Sequence, residues 1–298
     1  MLLSLFSTSL FSLRPSTLCD PFPIAFIKDD QKDYRSLQTF AEALPDVEHL
    51  SKPNSLANLP SQMLSMVGWV VDSVCTDGFS FKKISLEQYK NETAGVDSKQ
   101  SKFSDPNHIF KVEYEEDHPS LEQWKEQKEK HGVTLGFHGS AFENFHSILR
   151  NGLDNFFRKE TSLFGEGIYL SEDRDVAFSF LKFGRNSYKN TKFGDQVGCI
   201  VCGEVIKNPK HVRLSDEKKE NSGGIHISEK SKLPKGYIVV ENNKYVQIRY
   251  LLVYENFVSK TKKRNICEMV ALVYAVLLII LIVLSNTSFL KYYLRYLD

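Results

Sequence analysis

The feature that most restricts this chain is a long apolar run close to its C-terminus. Met269 to Leu284 contains no charged residue, and Phe289 and Leu290 follow after a short polar break. Counted through Leu290, the run has about the 20 residues that a helix needs to cross the hydrocarbon core of a bilayer. The alternative, a buried core helix, fits poorly because the run is apolar on every side and lies next to the terminus. We therefore expect residues 267–290 to form one transmembrane anchor, with the lipid bilayer as a partner.

Basic residues beside this run predict how the anchor is oriented. Only Lys291 and Arg295 follow it. The basic residues that precede it are more numerous: Lys260, Lys262, Lys263 and Arg264. The positive-inside rule then places the N-terminal side in the cytosol. Residues 259–266 become a basic juxtamembrane linker, and residues 291–298 become a short lumenal tail.

The N-terminal residues leave two interpretations open. Met1 to Phe6 resembles the apolar core of a secretory signal peptide, but no basic residue precedes it and the first one is Arg14. The other interpretation is an amphipathic helix of the folded domain. Its apolar side would carry Leu2, Leu5, Phe6 and Leu13. The distinction matters because a cleaved signal would place the following domain in the lumen.

Charge and cysteine content argue against two classes of protein. The chain has 38 Lys and Arg against 37 Asp and Glu, so its net charge indicates no basic surface for nucleic acid. Five scattered cysteines do not make a disulfide framework, which favours a reducing compartment. Cys199 and Cys202 are close in sequence, but residues i and i+3 of a strand point to opposite faces. We therefore predict two buried thiols there rather than a metal site.

Hydrophobic periodicity predicts a helical first part. Asp33 is suited to cap one helix, and a second helix is predicted over about Ser61–Val74. Their inward residues are predicted to be Leu37, Phe40, Ala41 and Leu44 in the first helix and Met63, Val67, Val70 and Val71 in the second. We expect residues 1–92 to form an α-helical packing or regulatory domain. A polar stretch that begins near Asn91 predicts a linker over residues 93–107.

After this linker the hydrophobic period changes to two, which is typical of strands. The predicted strands lie around Phe110–Tyr114, Val133–Phe137 and Val197–Ile206. A further pair, Tyr237–Val240 and Tyr245–Tyr254, is predicted to form a hairpin around residues 241–244. The predicted fold class is therefore α+β, with a helical N-terminal domain followed by an antiparallel or mixed β domain over residues 108–258.

Two helices are predicted between these strands. Ser140 and Glu143 have the spacing of a capping box and would open the first helix, which Gly152 would close. Ser171 would cap the second. Residues 215–235 are charged and contain Gly and Ser, so they predict a long exposed loop.

Three motifs follow one another in a fixed order. His138-Gly139-Ser140 ends a predicted strand, Gly165-Glu166-Gly167 leads into Tyr169, and Tyr237 begins the last strand pair. Each motif alone is weak. Together and in this order they resemble the catalytic domain of the poly(ADP-ribose) polymerase superfamily, over about residues 108–256. Among its members, the chain is most similar to those that transfer single ADP-ribose units and carry one C-terminal membrane anchor.

The resemblance implies an NAD+ site and a role for each matching residue. His138 would hydrogen-bond a ribose hydroxyl, and Gly139 would bind the nicotinamide carboxamide through its backbone. Tyr169 would line the slot for the nicotinamide ring, and residues 154–164 would cover the donor. Ser140 and Phe180 complete the implied NAD+-binding set. The chain departs from the common pattern twice: Ala177 stands where a serine often adds a carboxamide bond, and Phe180 where a tyrosine often stacks.

The third motif implies which product forms. Polymer-forming members have a glutamate at the position of Tyr237, where its negative charge activates a ribose hydroxyl for chain growth. A phenol stays un-ionised at neutral pH and cannot replace that charge. The implied catalytic residues are His138, Tyr169 and Tyr237, with NAD+ as a substrate and no metal.

Together with the apolar run, the resemblance thus implies an NAD+-dependent protein mono-ADP-ribosyltransferase at the cytosolic face of the endoplasmic reticulum membrane and the nuclear envelope. Its expected partners are NAD+, protein acceptors that include signalling proteins of the endoplasmic reticulum, and the protein itself. Two alternatives remain open. One is a catalytically weak, membrane-tethered NAD+-binding or scaffold module, and the other is a partner-binding N-terminal half whose transferase activity is incidental.

Overall fold

The computed structural model describes residues 1–256 except 77, 94–100, 116–118, 154–163, 189–190 and 216–232, together with residues 282, 292 and 295. The predicted linker 259–266 lies outside the described residues, as do almost all of the predicted anchor 267–290 and tail 291–298. Within the part of the chain that is described, no helix is long and apolar enough to cross a membrane. The rest of the description concerns Met1–Phe257, which pack as one unit.

The first 76 residues form short helices around a small apolar cluster. The helices are α1 (Leu2–Leu10), α2 (Pro15–Leu18), α3 (Tyr34–Glu42), α4 (Val47–Leu50) and α5 (Ser61–Thr76), and a two-stranded ribbon joins β1 (Ile27–Lys28) to β2 (Gln31–Lys32). Asp33 caps α3 as predicted, because its carboxylate accepts a hydrogen bond from the Ser36 backbone N–H at 3.0 Å. The inward residues of α5 are also confirmed, except that Val71 is exposed.

Helix α1 is buried in the folded unit. Every residue from Ser4 to Leu10 is buried, with Leu5 in the core of the large sheet and Phe6 in the cluster of the N-terminal helices. Burying one large apolar side chain contributes about 1.5–3 kcal/mol. The structure therefore agrees with the interpretation of this segment as a helix of the folded domain. Leu13 is the exception, because it follows the helix and is fully exposed.

The second part of the unit is built on a nine-stranded sheet in which every pairing of named strands is antiparallel. Its strands are β3 (Phe79–Ile84), β4 (His108–Tyr114), β5 (Val133–Ser140), β6 (Ile168–Ser171), β7 (Gly184–Arg185), β8 (Gln196–Ile206), β9 (Val212–Leu214), β10 (Tyr237–Val240) and β11 (Val246–Asn256). The order is β3-β4-β11-β8-β5-β6-β10-β9, with β7 beside β8. The helices of this part are α6 (Leu86–Glu92), α7 (Pro119–His131), α8 (Phe145–Asn151) and α9 (Arg174–Phe180). A helical N-terminal region followed by a mostly antiparallel β domain is thus confirmed.

The central strand β8 carries the two cysteines that are close in sequence. Cys199 and Cys202 are both fully buried thiols outside any disulfide, as predicted. Burial raises the pKa of the Cys199 thiol well above its usual range. These two residues therefore belong to the core.

The prediction that the chain is helical up to Glu92 is wrong between Phe79 and Ile84. This segment is β3, and it pairs along its whole length with β4 at the edge of the sheet. Phe79 and Ile84 are buried there, and α6 follows directly after Ser85 caps it. Asn91 and Glu92 lie in α6, so the polar linker begins after them.

The predicted hairpin of the last two strands is also wrong. β10 pairs with β6 and β9, whereas β11 pairs with β4 and β8. The connection between them is held by its neighbours: the Glu241 backbone N–H donates to the His211 carbonyl at 2.9 Å, and the His211 ring stacks on Tyr245. Residues 241–244 therefore cross from one part of the sheet to another instead of turning back.

Both predicted serine caps are wrong, because a strand occupies each position. β5 continues through Ser140, whose hydroxyl accepts a hydrogen bond from the Asn144 side chain at 2.8 Å, and a 3₁₀ turn then leads into α8. Ser171 belongs to β6, and Asp173 caps α9. Gly152 does end α8, with a φ of 77° that favours glycine.

Candidate active site

His138 lies where β5 meets β6, and its imidazole is fixed by one hydrogen bond. Its Nδ1 is 2.9 Å from the backbone oxygen of Tyr169. A carbonyl only accepts, so Nδ1 carries the hydrogen and the lone pair of the neutral ring lies on Nε2. Burial lowers the pKa of His138 and outweighs the opposing effect of the Tyr169 carbonyl. The arrangement therefore presents a neutral imidazole whose Nε2 is an acceptor.

Tyr169 closes the glycine-containing turn that precedes it. Its hydroxyl donates to the Gly165 carbonyl at 2.5 Å and accepts from the Phe164 backbone N–H at 3.1 Å. Gly165 has a φ of 97° and Gly167 a φ of 153°, and a Cβ on Gly167 would come within 2.6 Å of a Val239 methyl group. The spacing of the motif follows from this turn, because the Tyr169 hydroxyl bonds Phe164 and Gly165, the two residues that begin the turn.

Gly139 is required by the packing of helix α9. A Cβ at this position would lie 1.9 Å from the Ala177 carbonyl oxygen and 3.2 Å from the Leu181 backbone nitrogen. No side chain can be accommodated there unless α9 moves away from β5. The sequence predicted a glycine that binds nicotinamide, and the structure adds a second reason for its presence.

The remaining predicted NAD+-binding residues lie on either side of Gly139. Phe180, at the end of α9, precedes Leu181 and is 57% exposed. Ser140 follows Gly139, and its contact with Asn144 ties its hydroxyl to the turn before α8. The structure thus places Ser140 directly after Gly139 and Phe180 beside Leu181, whose backbone nitrogen approaches Gly139. The contacts of both residues with a ligand stay predictions.

Tyr237 lies at the start of β10, opposite Ser171 of β6. Its ring centroid is 6.1 Å from that of Phe164, which is in turn 6.3 Å from that of Tyr169. The three aromatic rings therefore form a chain, with Phe164 in the middle. The structure brings Tyr237 to the same region as His138 and Tyr169, and we call the region of His138, Gly139, Tyr169, Phe180 and Tyr237 the donor site.

Two residues of this region were missed or underrated by sequence reasoning. Arg213 of β9 donates from Nη1 to the Phe164 carbonyl at 2.8 Å, so it holds the residue that joins the two tyrosines. Burial lowers the pKa of the Arg213 guanidinium. The available signal was a charged residue between two apolar ones, in Val212-Arg213-Leu214. This pattern indicates a polar side chain within an apolar strand, but it does not identify the partner of that side chain. Phe164 had been assigned only as the end of a covering loop, whose residues 154–163 lie outside the described residues.

No group of three or more His, Cys, Asp or Glu side chains with metal-binding geometry occurs among the described residues.

Comparison with known proteins assigns the family. A family model described as the poly(ADP-ribose) polymerase catalytic domain matches residues 85–256, more than half of the chain. The chain belongs to the poly(ADP-ribose) polymerase family. A second model, described as the ARTD15 N-terminal domain, matches residues 1–71, which hold α1 to α4 and most of α5.

Relatives within the poly(ADP-ribose) polymerase family cover most of the chain. The mouse (Mus musculus) protein mono-ADP-ribosyltransferase PARP16 is 31% identical over 256 residues, which are 84% of this chain and 77% of that protein. The human (Homo sapiens) PARP16 is 29% identical over 306 residues, covering 98% and 92% of the two chains. Mouse mono-ADP-ribosyltransferase PARP8 is 32% identical over a shorter stretch of 111 residues, 28% of this chain and 13% of that protein. The prediction of an NAD+-using ADP-ribosyltransferase is therefore confirmed.

Proposed function

We propose that this enzyme transfers single ADP-ribose units from NAD+ to proteins, itself included. The proposal rests on the hydrogen bond that holds His138 against Tyr169. In the same family fold, strand β10 begins with Tyr237. The relatives that cover most of the chain are named mono-ADP-ribosyltransferases, which supports the same product.

The residues of the donor site fit an NAD+ substrate. The Nε2 lone pair of His138 suits a ribose hydroxyl donor, and a glycine at 139 exposes backbone N–H and C=O groups to a carboxamide. Phe180, at the end of the helix that packs on that glycine, leaves an aromatic ring uncovered, as a site that stacks a nicotinamide ring requires. Tyr169 supplies a second ring that its hydroxyl locks in place.

The reaction breaks the glycosidic bond between nicotinamide and ribose. Nicotinamide departs as a neutral molecule with the bonding electrons, and the ribose carbon develops oxocarbenium character. A nucleophilic atom of the acceptor then forms the new bond and loses its proton to solvent or to a nearby base. The protein contributes mainly by holding the donor in a reactive geometry, which accounts for much of the acceleration in such transfers.

Tyr237 limits the product to one unit in this proposal. Chain growth requires that a ribose hydroxyl of an ADP-ribose already attached be activated by an anionic partner, and a neutral phenol does not provide one. The side chain that packs against the Tyr237 ring is Phe164, which is an apolar ring and not a carboxylate.

Digestion of the labelled product tests this limit. The full chain is incubated with NAD+ labelled in the adenylate, and the modified protein is digested with a phosphodiesterase. Single units release only AMP, whereas internal units of a polymer release phosphoribosyl-AMP. We expect AMP alone from the parent protein and from Tyr237→Phe, with His138→Ala as the background control. Phosphoribosyl-AMP from the parent protein would refute the proposal, and a protein that binds NAD+ but releases no nicotinamide would instead be the scaffold module.

We further propose that residues 267–290 anchor the enzyme in the membrane of the endoplasmic reticulum and nuclear envelope, with the catalytic domain in the cytosol. The apolar run, the basic residues before it and the buried thiols outside any disulfide support this location. Signalling proteins of that membrane would then be acceptors.

An engineered glycosylation acceptor appended after Asp298 tests the topology in microsomes. The natural acceptor pattern at Asn91 is a poor reporter, because Thr93 is buried and bonded to the Tyr89 carbonyl at 2.8 Å. We expect a glycosidase-sensitive mobility shift from the appended site. A protein that resists alkaline extraction and yet shows no shift would contradict the orientation.

A further inference from the structure

A second cavity lies at the other end of strand β5 from the donor site. Its volume is about 700 Å³, it is partly open to solvent, and it is lined by residues of α7, the β8–β9 connection and the start of β11. Ile206 lines it and pairs with Val133, which precedes His138 by five residues. At about 3.3 Å per residue, the cavity therefore lies roughly 16 Å along the strand from His138. We call it the lysine cavity.

The charged residues that line the cavity are all basic. Lys130, Lys210 and Lys244 all line the cavity, and the lining residues include no carboxylate. The carboxylate of Glu241, just outside the lining, is hydrogen-bonded to the Nδ1 of His211. Three exposed lysines along one cavity raise the local concentration of anions and suit phosphate oxygens.

Aromatic and amide groups complete the lining. The rings of His211 and Tyr245 are stacked with centroids 4.6 Å apart and planes within 13° of each other. Asn208, which is buried, donates from its side chain to the Gln127 side-chain oxygen at 3.4 Å. Asn and Gln side chains of this kind bond the edges of nucleobases, and aromatic walls suit their faces.

Trp124 supplies the observation that points to a ligand. This lining residue is 9% exposed, and among the described residues its indole Nε1–H has no hydrogen-bond partner. A buried donor without a partner is uncommon and destabilises the empty protein. A ligand acceptor in the lysine cavity would satisfy it after a small side-chain movement.

We propose that the lysine cavity binds a nucleoside phosphate, separately from the NAD+ donor site. The volume lies within the range of about 300–1,000 Å³ that is usual for small-molecule sites. It is too small to hold a folded protein segment. Lysines hold the phosphates, and the aromatic and amide lining holds the base. The proposal does not depend on the number of ADP-ribose units transferred.

Intrinsic fluorescence gives a local readout, because the chain has two tryptophans. In a Trp69→Phe variant of the full chain, Trp124 is the sole emitter, and ADP is titrated with excitation in the red edge of the indole band. His138→Ala is added to weaken binding at the donor site. We expect a saturable change in this double variant, and weaker binding by at least about tenfold when Lys210→Glu and Lys244→Glu are introduced together.

Matched controls and separate probes decide the outcome. Lys207→Glu carries the same charge reversal at an exposed neighbour outside the lining and should leave ADP binding unchanged. Calorimetry with Trp124→Phe, which keeps a ring and removes the N–H, should also show weaker binding. The proposal is overturned if the Lys210 and Lys244 reversals have no effect, if His138→Ala abolishes the signal, or if inorganic pyrophosphate binds as tightly as ADP.

Discussion

The short segment around Ser140 separates two regions that are built differently. The donor site lies on one side of it, and the contact with the N-terminal helices lies on the other. After Ser140 the chain turns into α8, and Phe142 and Phe145 pack in the same fully buried cluster as Leu5 of α1. On the other side, Tyr169 is half-buried and Phe180 is exposed. Stability therefore comes mainly from the helix side, and binding capacity is kept on the open side.

Polar contacts strengthen the same contrast. On the helix side, His146 of α8 bonds the Pro21 carbonyl at 3.2 Å, and Arg150 donates to the Val70 carbonyl at 3.1 Å. Arg150 also lies over the Trp69 ring, 4.9 Å from its centroid. These contacts join the N-terminal helices to the catalytic domain, so deleting residues 1–92 would remove core residues and strand β3. A partner-binding role of the N-terminal half is better tested by substitutions at exposed positions.

The largest effect is expected from removing a ring on the helix side. Phe142→Ala leaves a cavity in a fully buried cluster and should destabilise the protein by about 3–5 kcal/mol. The melting temperature should fall by roughly 10 °C for a unit of this size, measured by scanning calorimetry. Phe180→Ala is the matched control, because its exposed ring should affect NAD+ binding and leave the melting temperature nearly unchanged. Equal losses of stability in the two variants would remove the contrast.

On the open side, His138→Ala should affect catalysis more than stability. Loss of the imidazole that bonds the Tyr169 carbonyl should reduce kcat/KM for NAD+ by about 100-fold, equivalent to about 2.7 kcal/mol of transition-state stabilisation. Tyr169→Phe keeps the ring and loses the bonds to Phe164 and Gly165, so a smaller loss is expected. Parental kcat/KM in both variants would show that the donor site is assigned wrongly.

Acid should weaken the helix side through His146. Burial, reinforced by the charge of Arg150, lowers the pKa of His146 from about 6.5 to about 3. The folded state therefore stays unprotonated where the unfolded state takes up a proton, so stability is complete above pH ~6.5 and is lost as the pH falls toward 3. The loss is about 1.4 kcal/mol per pH unit within that window.

Urea unfolding at pH 7.5 and at pH 5.5 measures this effect. His146→Gln should reduce the difference in unfolding free energy between the two pH values. His49→Gln changes an exposed histidine in α4 and should leave that difference in place. An unchanged difference in His146→Gln would show that other groups cause the acid sensitivity.

The smallest effect concerns the open side again. Ala177→Ser adds a hydroxyl at the position where the family resemblance implies a bond to the carboxamide, and one such bond contributes about 1 kcal/mol. We expect the KM for NAD+ to fall by about fivefold, measured by nicotinamide release. Because Ala177 is 2% exposed and its carbonyl faces Gly139, a lower melting temperature with an unchanged KM would mean that the hydroxyl does not reach the ligand.

Local signals in the sequence predicted local structure well. The Asp33 cap, the Gly152 helix end and the alternation that predicted β4 and β5 each depend on a few neighbouring residues. The errors arose where distant strands decide the outcome. Phe79–Ile84 alternates like a strand but becomes one only against β4, and the last two strands separate because β6 and β8 pair with them.

The donor site shows the same division. His138, Tyr169 and Tyr237 could be named because ordered motifs mark them in the sequence. Arg213 could not, because its partner Phe164 lies 49 residues away and neither residue carries a local signal for the other. Likewise, a glycine motif indicates close approach of a backbone, but only the structure reveals that α9 is what approaches Gly139.

The burial of α1 has a consequence for biosynthesis. Leu5 leaves the ribosome 137 residues before Phe142, with which it shares a core cluster. At about 5–20 residues per second, the nascent helix waits roughly 7–27 seconds before its partner is made. During that interval an apolar helix is exposed to chaperones and targeting factors. The same segment that stabilises the finished enzyme is therefore an aggregation hazard during translation.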